Sequence, residues 1–453
     1  MSIKDRVTIA MVDQVLNYLD KDPHENLPKL LNIVEKFDLN HALSNQIKNV
    51  REGLYGENDN WRKLVDSIYQ DVDSEIIKTL FKNAVLNSVV LSRSLKEEVK
   101  SKYDCNVPWA ILLDPTSACN LSCTGCWASE YGNKLNLSFD EIDSIITQGK
   151  EIGIFMYIYT GGEPLVRKKD IIDLCKKHND CVFLAFTNAT LIDEELAKQI
   201  REVKNFVPAI SIEGDKKTTD SRRGDGTYDK VVHAMEILRK YKVPFGASTC
   251  YTSANYESIT DDEYFDRLIS FGAKFAWFFH YMPIGNDAVP ELLLNPDQRE
   301  TVYRKIRDVR NRKSIFLIDF QNDGEYIGGC IAGGRDYFHI NPNGDVEPCV
   351  FIHYSDSNIR EKTLIECLTS PLFMAYKEGQ PFNCNHLMPC PMLENPEKLR
   401  DIVHATGAHS TDLISEESVE NLCAKCSSYS EEWRPRAEEI WAEKAGKQAS
   451  KKV

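Results

Sequence analysis

Three cysteines, Cys119, Cys123 and Cys126, fall within eight residues in a Cys-x3-Cys-x2-Cys run. Thiolates this close in sequence can share one metal centre, and thiolates are the ligands of iron–sulfur clusters and of structural zinc. Six more, Cys330, Cys349, Cys384, Cys390, Cys423 and Cys426, gather in the C-terminal third. The other five of the fourteen, Cys105, Cys175, Cys181, Cys250 and Cys367, stand singly and read as small core residues. The N-terminus carries Lys4, Asp5, Arg6 and Asp13, too polar for a signal-peptide core and too acidic for a transit peptide. A cytoplasmic location is therefore expected. In that reducing compartment clustered cysteines point to metal or redox chemistry rather than to disulfides.

The elements that position these residues can be read from the 453-residue chain, long enough for two or three domains of ~100–200 residues each. At 42% hydrophobic residues it can bury a sizeable core. Its net charge of −14 argues against affinity for nucleic acid through phosphate neutralisation. No run of 18 apolar residues exists to span a membrane. Residues 1–104 read as a helical N-terminal domain, with apolar positions at three- and four-residue spacing, as in Ile76, Ile77, Leu80, Phe81 and Ala84. From Trp109 the texture becomes strand–helix alternation. Strands are expected at 109–114, 154–160, 181–187, 207–212, 244–251 and 275–281, with helices at 139–152, 168–177, 193–203, 228–240 and 261–272. Such alternation implies parallel strands joined by right-handed crossovers. The stretch is short of the ~250 residues of a full eight-fold barrel, so the expected fold is α/β, a partial (β/α)6 TIM-like barrel or an open doubly wound sheet. A further strand at 315–320 and a hairpin of 337–340 with 345–350 around Asn341-Pro342-Asn343-Gly344 follow. The expected divisions are 1–104, a barrel at 105–310, an irregular Cys-rich domain at 311–430 ordered by metal, and a solvated charged helical tail at 431–453.

The cysteine triplet directly follows the first expected strand, and in α/β barrels chemistry gathers at the C-terminal ends of strands. Three thiolates on a cubane leave one iron without a protein ligand. In these residues the chain resembles the radical S-adenosylmethionine (SAM) superfamily. The resemblance implies a [4Fe–4S] cluster on Cys119, Cys123 and Cys126, chelated by SAM and able to release a 5′-deoxyadenosyl radical from it. The string Gly161-Gly162-Glu163-Pro164, at the end of the second strand, resembles the family's GGEP motif. Its glycines allow close approach of backbone to ligand, and Glu163 can accept from the methionyl ammonium. Thr187 and Asn188 after the third strand, and Ser211 and Glu213 after the fourth, resemble positions that contact SAM in relatives. Arg222 and Arg223 fall where the family often has an arginine near the SAM carboxylate.

Cys330 and Cys349, with Gly344 between them, resemble the opening of the SPASM/twitch extension that binds auxiliary [4Fe–4S] clusters in the same superfamily. The full family pattern is not met, since Pro381 and Glu394 stand where two cysteines would fall. The expectation is one auxiliary cluster on Cys330, Cys349, Cys390 and Cys426, with Cys384 and Cys423 as substitutes and a structural zinc as the other reading. Near the barrel mouth Tyr281, Asp319, Asp323 and Glu325 are expected catalytic groups, a carboxylate taking a proton or orienting a hydroxyl; a solvated turn is the alternative for the acids. The aromatic run 275–279 reads as barrel core. The resemblance implies hydrogen abstraction from an unactivated C–H bond of a peptide, small molecule or lipid chain, with flavodoxin or ferredoxin as reductant. A non-catalytic metal-stabilised scaffold or electron carrier stands against it.

Overall fold

The computed structural model describes residues 3–37, 44–56 and 58–450. Its centre is one nine-stranded sheet. The strands are β1 (Ala110–Leu113), β2 (Met156–Tyr159), β3 (Val182–Thr187), β4 (Phe206–Ser211), β5 (Gly246–Tyr251), β6 (Phe275–His280), β7 (Phe316–Asp319), β8 (Tyr337–Ile340) and β9 (Val346–Glu347). Their order is β7-β6-β5-β4-β3-β2-β1-β8-β9. All neighbours run parallel except the β8–β9 hairpin. The six expected strands form the middle. β7 lengthens the sheet at one edge, and β8 joins β1 on the other with Leu113 opposite Ile340. The sheet stays open between β7 and β9, as a partial barrel.

Alternation produces this layering. β1 to β4 are buried almost throughout, as strands covered on both faces must be. The covering helices present apolar stripes, such as Ile142, Ile145 and Ile146 of Phe139–Glu151, which starts on a capping box of Ser138 with Glu141. The N-terminal helices found at Asn60–Asp71, Ser74–Phe81 and Arg93–Tyr103 sit where helical periodicity placed them. With the helical segment Lys82–Leu91 they pack on the barrel's rim: Asn83 of that segment donates to the carbonyls of Asn179 and Cys181, and Lys274 pairs with Asp71 at 2.6 Å.

Two expectations for the C-terminal part are corrected. The stretch expected to be irregular holds short helices at Leu364–Leu368, Pro371–Gly379 and Pro396–Thr406. The final helix begins at Val419 and is not solvated all round, since Trp433, Ala437 and Ile440 are buried. Trp433 donates its indole N–H to the Leu387 carbonyl at 3.0 Å, and the Arg299 guanidinium lies 4.2 Å from its ring centroid. Its charged residues mask this face in sequence. Trp433→Ala empties a core site and is expected to cost ~3–5 kcal/mol. Denaturant titration of the two proteins followed by circular dichroism measures it.

Candidate functional site

The parallel strands end together, and the loops after β1, β2, β3 and β4 meet around the mouth of one cavity of about 230 Å³. Cys119, Cys123 and Cys126 from the first loop line it, with Gly161, Gly162 and Glu163 from the second, Asn188 and Ser211, and Arg222 and Arg223. The backbone of the cluster loop is tied down on two sides. Thr124 N–H donates to the Arg222 carbonyl at 3.0 Å, and Glu163 N–H to the Ala118 carbonyl at 2.8 Å. Two glycines are required. A side chain on Gly162 would begin 2.3 Å from the Ala118 oxygen, and Gly125 has φ +64° with the Tyr281 ring 2.6 Å from any Cβ.

The donor set fits an iron–sulfur cluster. Cys119 Sγ receives the Leu121 N–H at 3.4 Å and lies 3.9 Å from the Asn188 amide, and Cys123 Sγ lies 3.9 Å from the Arg223 guanidinium. Donors around sulfur are what thiolates on a cluster need. Cys119 is exposed at the cavity mouth, where binding of a cluster iron would displace its thiol proton. Among the described residues no three or more Cys, His, Asp or Glu converge on a single ion. A cubane asks for less convergence, because each thiolate binds a different iron.

Several expected cofactor residues sit one layer back. Glu163 lines the cavity, but its carboxylate is engaged: it accepts from Thr187 Oγ1 at 2.6 Å, Asn188 N–H at 2.7 Å and Leu165 N–H at 3.0 Å. Burial still raises its pKa. It locks the end of β2 to the end of β3. Thr187, Pro164 and Glu213 are not on the cavity wall. Glu213 is fully buried and pairs with Arg222 at 2.7 Å and Arg223 at 2.5 Å. Burial alone would lift its pKa, yet the two guanidinium groups hold it below the carboxylate range.

The three acids expected at the barrel mouth lie away from the cavity. Asp319, Asp323 and Glu325 do not line the cavity; they form an ion network with helix Pro296–Arg312. Asp319 accepts from Asn322 at 3.0 Å and from the Tyr251 hydroxyl at 3.1 Å, Asp323 pairs with Arg310, and Glu325 pairs with Arg307 at 2.5 Å. Carboxylates saturated in this way hold β7 to its helix. Tyr281 does face the cavity, its hydroxyl accepting from Val289 N–H at 2.9 Å. The aromatic run of β6 is split by the pleat. Phe278 is buried away from the cavity, whereas Trp277 and Phe279 line it. Trp127, Cys250, Phe320, Tyr337 and Phe351 are further wall residues that spacing did not single out.

A smaller cavity of about 40 Å³ is lined by Cys330, Cys349 and Cys390. Here too backbone donors point at sulfur: Phe351 N–H at 3.5 Å on Cys349, and Met392 and Leu393 N–H each at 3.4 Å on Cys390. These three thiols fit a second cluster. Cys426 is not on that wall. It is buried in the final helix one turn from Cys423, whose thiol donates to the Pro396 carbonyl at 3.0 Å, and Cys384 is exposed.

Beneath the mouth lies a buried triad. His339 of β8 sits between Asp114 (Nε2–Oδ1 3.0 Å) and Glu347 of β9 (Nδ1–Oε2 2.6 Å), all three fully buried. Asp114 also accepts from Thr160 at 2.5 Å, and Glu347 from Tyr131 and Thr411.

This fold and site are those of a radical SAM enzyme: residues 113–271 match the Radical SAM superfamily. Residues 330–427 match SPASM, an iron–sulfur cluster-binding domain, so the chain belongs to the SPASM-bearing members of that superfamily and takes a [4Fe–4S] cluster, SAM and additional iron–sulfur centres. It is similar to an AdoMet-dependent heme synthase of Methanosarcina barkeri, 27% identical over 58% of this chain and 82% of that protein. It is also similar to a cysteine-type anaerobic sulfatase-maturating enzyme of Clostridium novyi, 26% identical over 62% and 84%. Among solved structures, Streptococcus suis SuiB bound to S-adenosylmethionine shares the fold, with TM-score 0.55 and 18% identity over 71% of this chain and 79% of that one. No helix among the described residues is long and apolar enough to cross a membrane.

Two measurements test the geometry. Glu163→Ala removes the acceptor of three hydrogen bonds that tie β2 to β3 and hold the Asn188 backbone, and losing the worth of even one such bond, ~1.5–3 kcal/mol, from the positioning of the site is expected to weaken SAM binding by roughly tenfold to a hundredfold. Iron content stays unchanged, and a SAM titration followed by paramagnetic resonance reads it. Burial alone would push the His339 imidazole down, but Asp114 and Glu347 outweigh it and lift it to about 10. Its folded pKa lies above the unfolded value of ~6.5, so its stabilisation is complete below that pH and is lost as pH rises toward 10. The wild-type Tm is expected to fall over that window, and the fall to flatten in His339→Gln.

Proposed function

We propose that Cys119, Cys123 and Cys126 hold the SAM-binding cluster, and that the enzyme uses it to take hydrogen from an unactivated C–H bond in an apolar part of its substrate. When bound, the cluster and SAM supply the one-electron chemistry. The chain's own residues bind and orient. The Gly161-Gly162 turn and Asn188 offer a close backbone approach and polar contacts to the aminoacyl end of SAM, and Arg222 and Arg223 present guanidinium groups for its carboxylate.

The observation that carries this reading is the continuity of one cavity. The same space that has the three thiols at its mouth runs inward between Leu112, Ile158, Phe186, Trp277, Phe279 and Phe351. Its charged wall residues are Glu163, Arg222, Arg223 and Asp336, and the two arginines are already paired with Glu213. The apolar section therefore has no uncommitted cation to receive a carboxylate, and it suits an aromatic or aliphatic group, whether on a peptide or a small molecule. Cys330, Cys349 and Cys390 hold an auxiliary cluster, with flavodoxin or ferredoxin as reductant in the cytoplasm. The apolar wall disfavours water beside the reacting group.

Anaerobically reconstituted protein given dithionite and SAM is expected to form 5′-deoxyadenosine and methionine, and Cys126→Ala to form none while remaining folded. Chromatography of the products reads both. A cluster-loaded protein that binds SAM and leaves it intact would establish the scaffold reading instead.

A further inference from the structure

The two cavities are neighbours. Met282, Phe320, Ile331, Tyr337 and Phe351 line both, so a single layer of side chains separates the space that takes SAM and substrate from the three thiols of the second site. Four of these are apolar. The fifth, Tyr337, is buried at the start of β8, where it pairs with Ala110 of β1, and its ring packs edge-on against Phe320 at 5.8 Å. Its hydroxyl lies 2.7 Å from Cys349 Sγ. A phenol beside a thiolate has one useful arrangement, O–H donating to sulfur. Tyr376 supplies an internal contrast. It also lines the second cavity, but its buried hydroxyl has no hydrogen-bond partner.

We propose that Tyr337 is a positioning residue that sets the reduction potential of the second iron–sulfur centre through its hydrogen bond to Cys349, from within the wall shared with the substrate cavity. The physical reason is charge. Reduction adds an electron to an anionic cluster, and a hydrogen bond to a ligating sulfur stabilises the more negative state. Removing the donor must lower the potential. The inference rests on the reading of Cys330, Cys349 and Cys390 as cluster ligands.

The test uses the full chain with Cys119, Cys123 and Cys126 all replaced by Ala, so that signals come from the second site alone. Iron and sulfide are counted, and the potential is read by redox titration with paramagnetic resonance. Adding Tyr337→Phe is expected to leave iron content unchanged and move the potential to a more negative value. Adding Tyr376→Phe is expected to leave both unchanged. Placing 3-fluorotyrosine at position 337, which keeps the shape and strengthens the donor, moves the potential the other way and serves even where Tyr337→Phe folds poorly. An unshifted potential in the position-337 variants, or an equal shift from Tyr376→Phe, overturns the proposal. A triple-cysteine variant that holds zinc and shows no cluster signal would overturn the ligand reading itself, and the proposal with it.

Discussion

A histidine buried between two acidic side chains, with its pKa raised by them, is the constraint on which the cofactor end of the molecule depends. Taking His339, Asp114 and Glu347 out of water costs several kcal/mol per ion, and such a group persists only if its hydrogen bonds are filled. Here they are supplied from four separate segments. Thr160 comes from the turn after β2, Tyr131 from the segment after the cysteine loop, Asn341 from the β8–β9 turn, and Thr411 from near the final helix. A neutral His339 would leave two carboxylates facing each other. These shared contacts draw β1, β2 and the β8–β9 hairpin to one point. The contact with Asp114 is an ion pair at 3.0 Å without good hydrogen-bond alignment, whereas that with Glu347 is aligned.

Because β8 is pinned in this way, the C-terminal region is part of the barrel's own wall. Trp127 shows the consequence. It follows Cys126 directly, and its ring meets His339, Phe351 and His353 edge-on at 5.8, 6.2 and 6.1 Å. The residue next to the cluster loop is thus packed by side chains from the SPASM region. Ring packing joins the cysteine loop to the SPASM region.

The parts legible in the sequence were those that obey a local rule. Strand–helix alternation located β1 to β6 within a few residues, the Asn341–Gly344 turn located the β8–β9 hairpin, and the cysteine triplet and Gly161-Gly162 turn could be placed because each follows a strand end. The acids of β7 were not legible. Three carboxylates in seven residues look the same whether they face a substrate or arginines, and the deciding partners, Arg307 and Arg310, lie on a preceding helix. Trp277 and Phe279 were obscured differently. Every residue of β6 from Phe275 to Phe279 is apolar, so the run hides the pleat that sends alternate residues into the cavity and into the core. The place of Cys426 off the wall of the second cavity was not legible either, because spacing along the chain cannot say which face of a helix a thiol occupies.

The pairing of Glu213 with two arginines bears on what the cavity can select. Two free guanidinium groups at the mouth would attract any anion, at a low dielectric where such attraction is strong. With Glu213 fully buried between them, the three groups carry one net positive charge, and both arginine forks are held before a ligand arrives. Part of the ordering cost of binding has then been met in folding. Arg223 also reaches toward Cys123, so this remaining charge is committed to the cluster end. Selection along the rest of the cavity falls to shape and to the aromatic faces of Trp277, Phe279, Phe320 and Phe351. The arrangement suits an anion at the mouth and an apolar group beyond it.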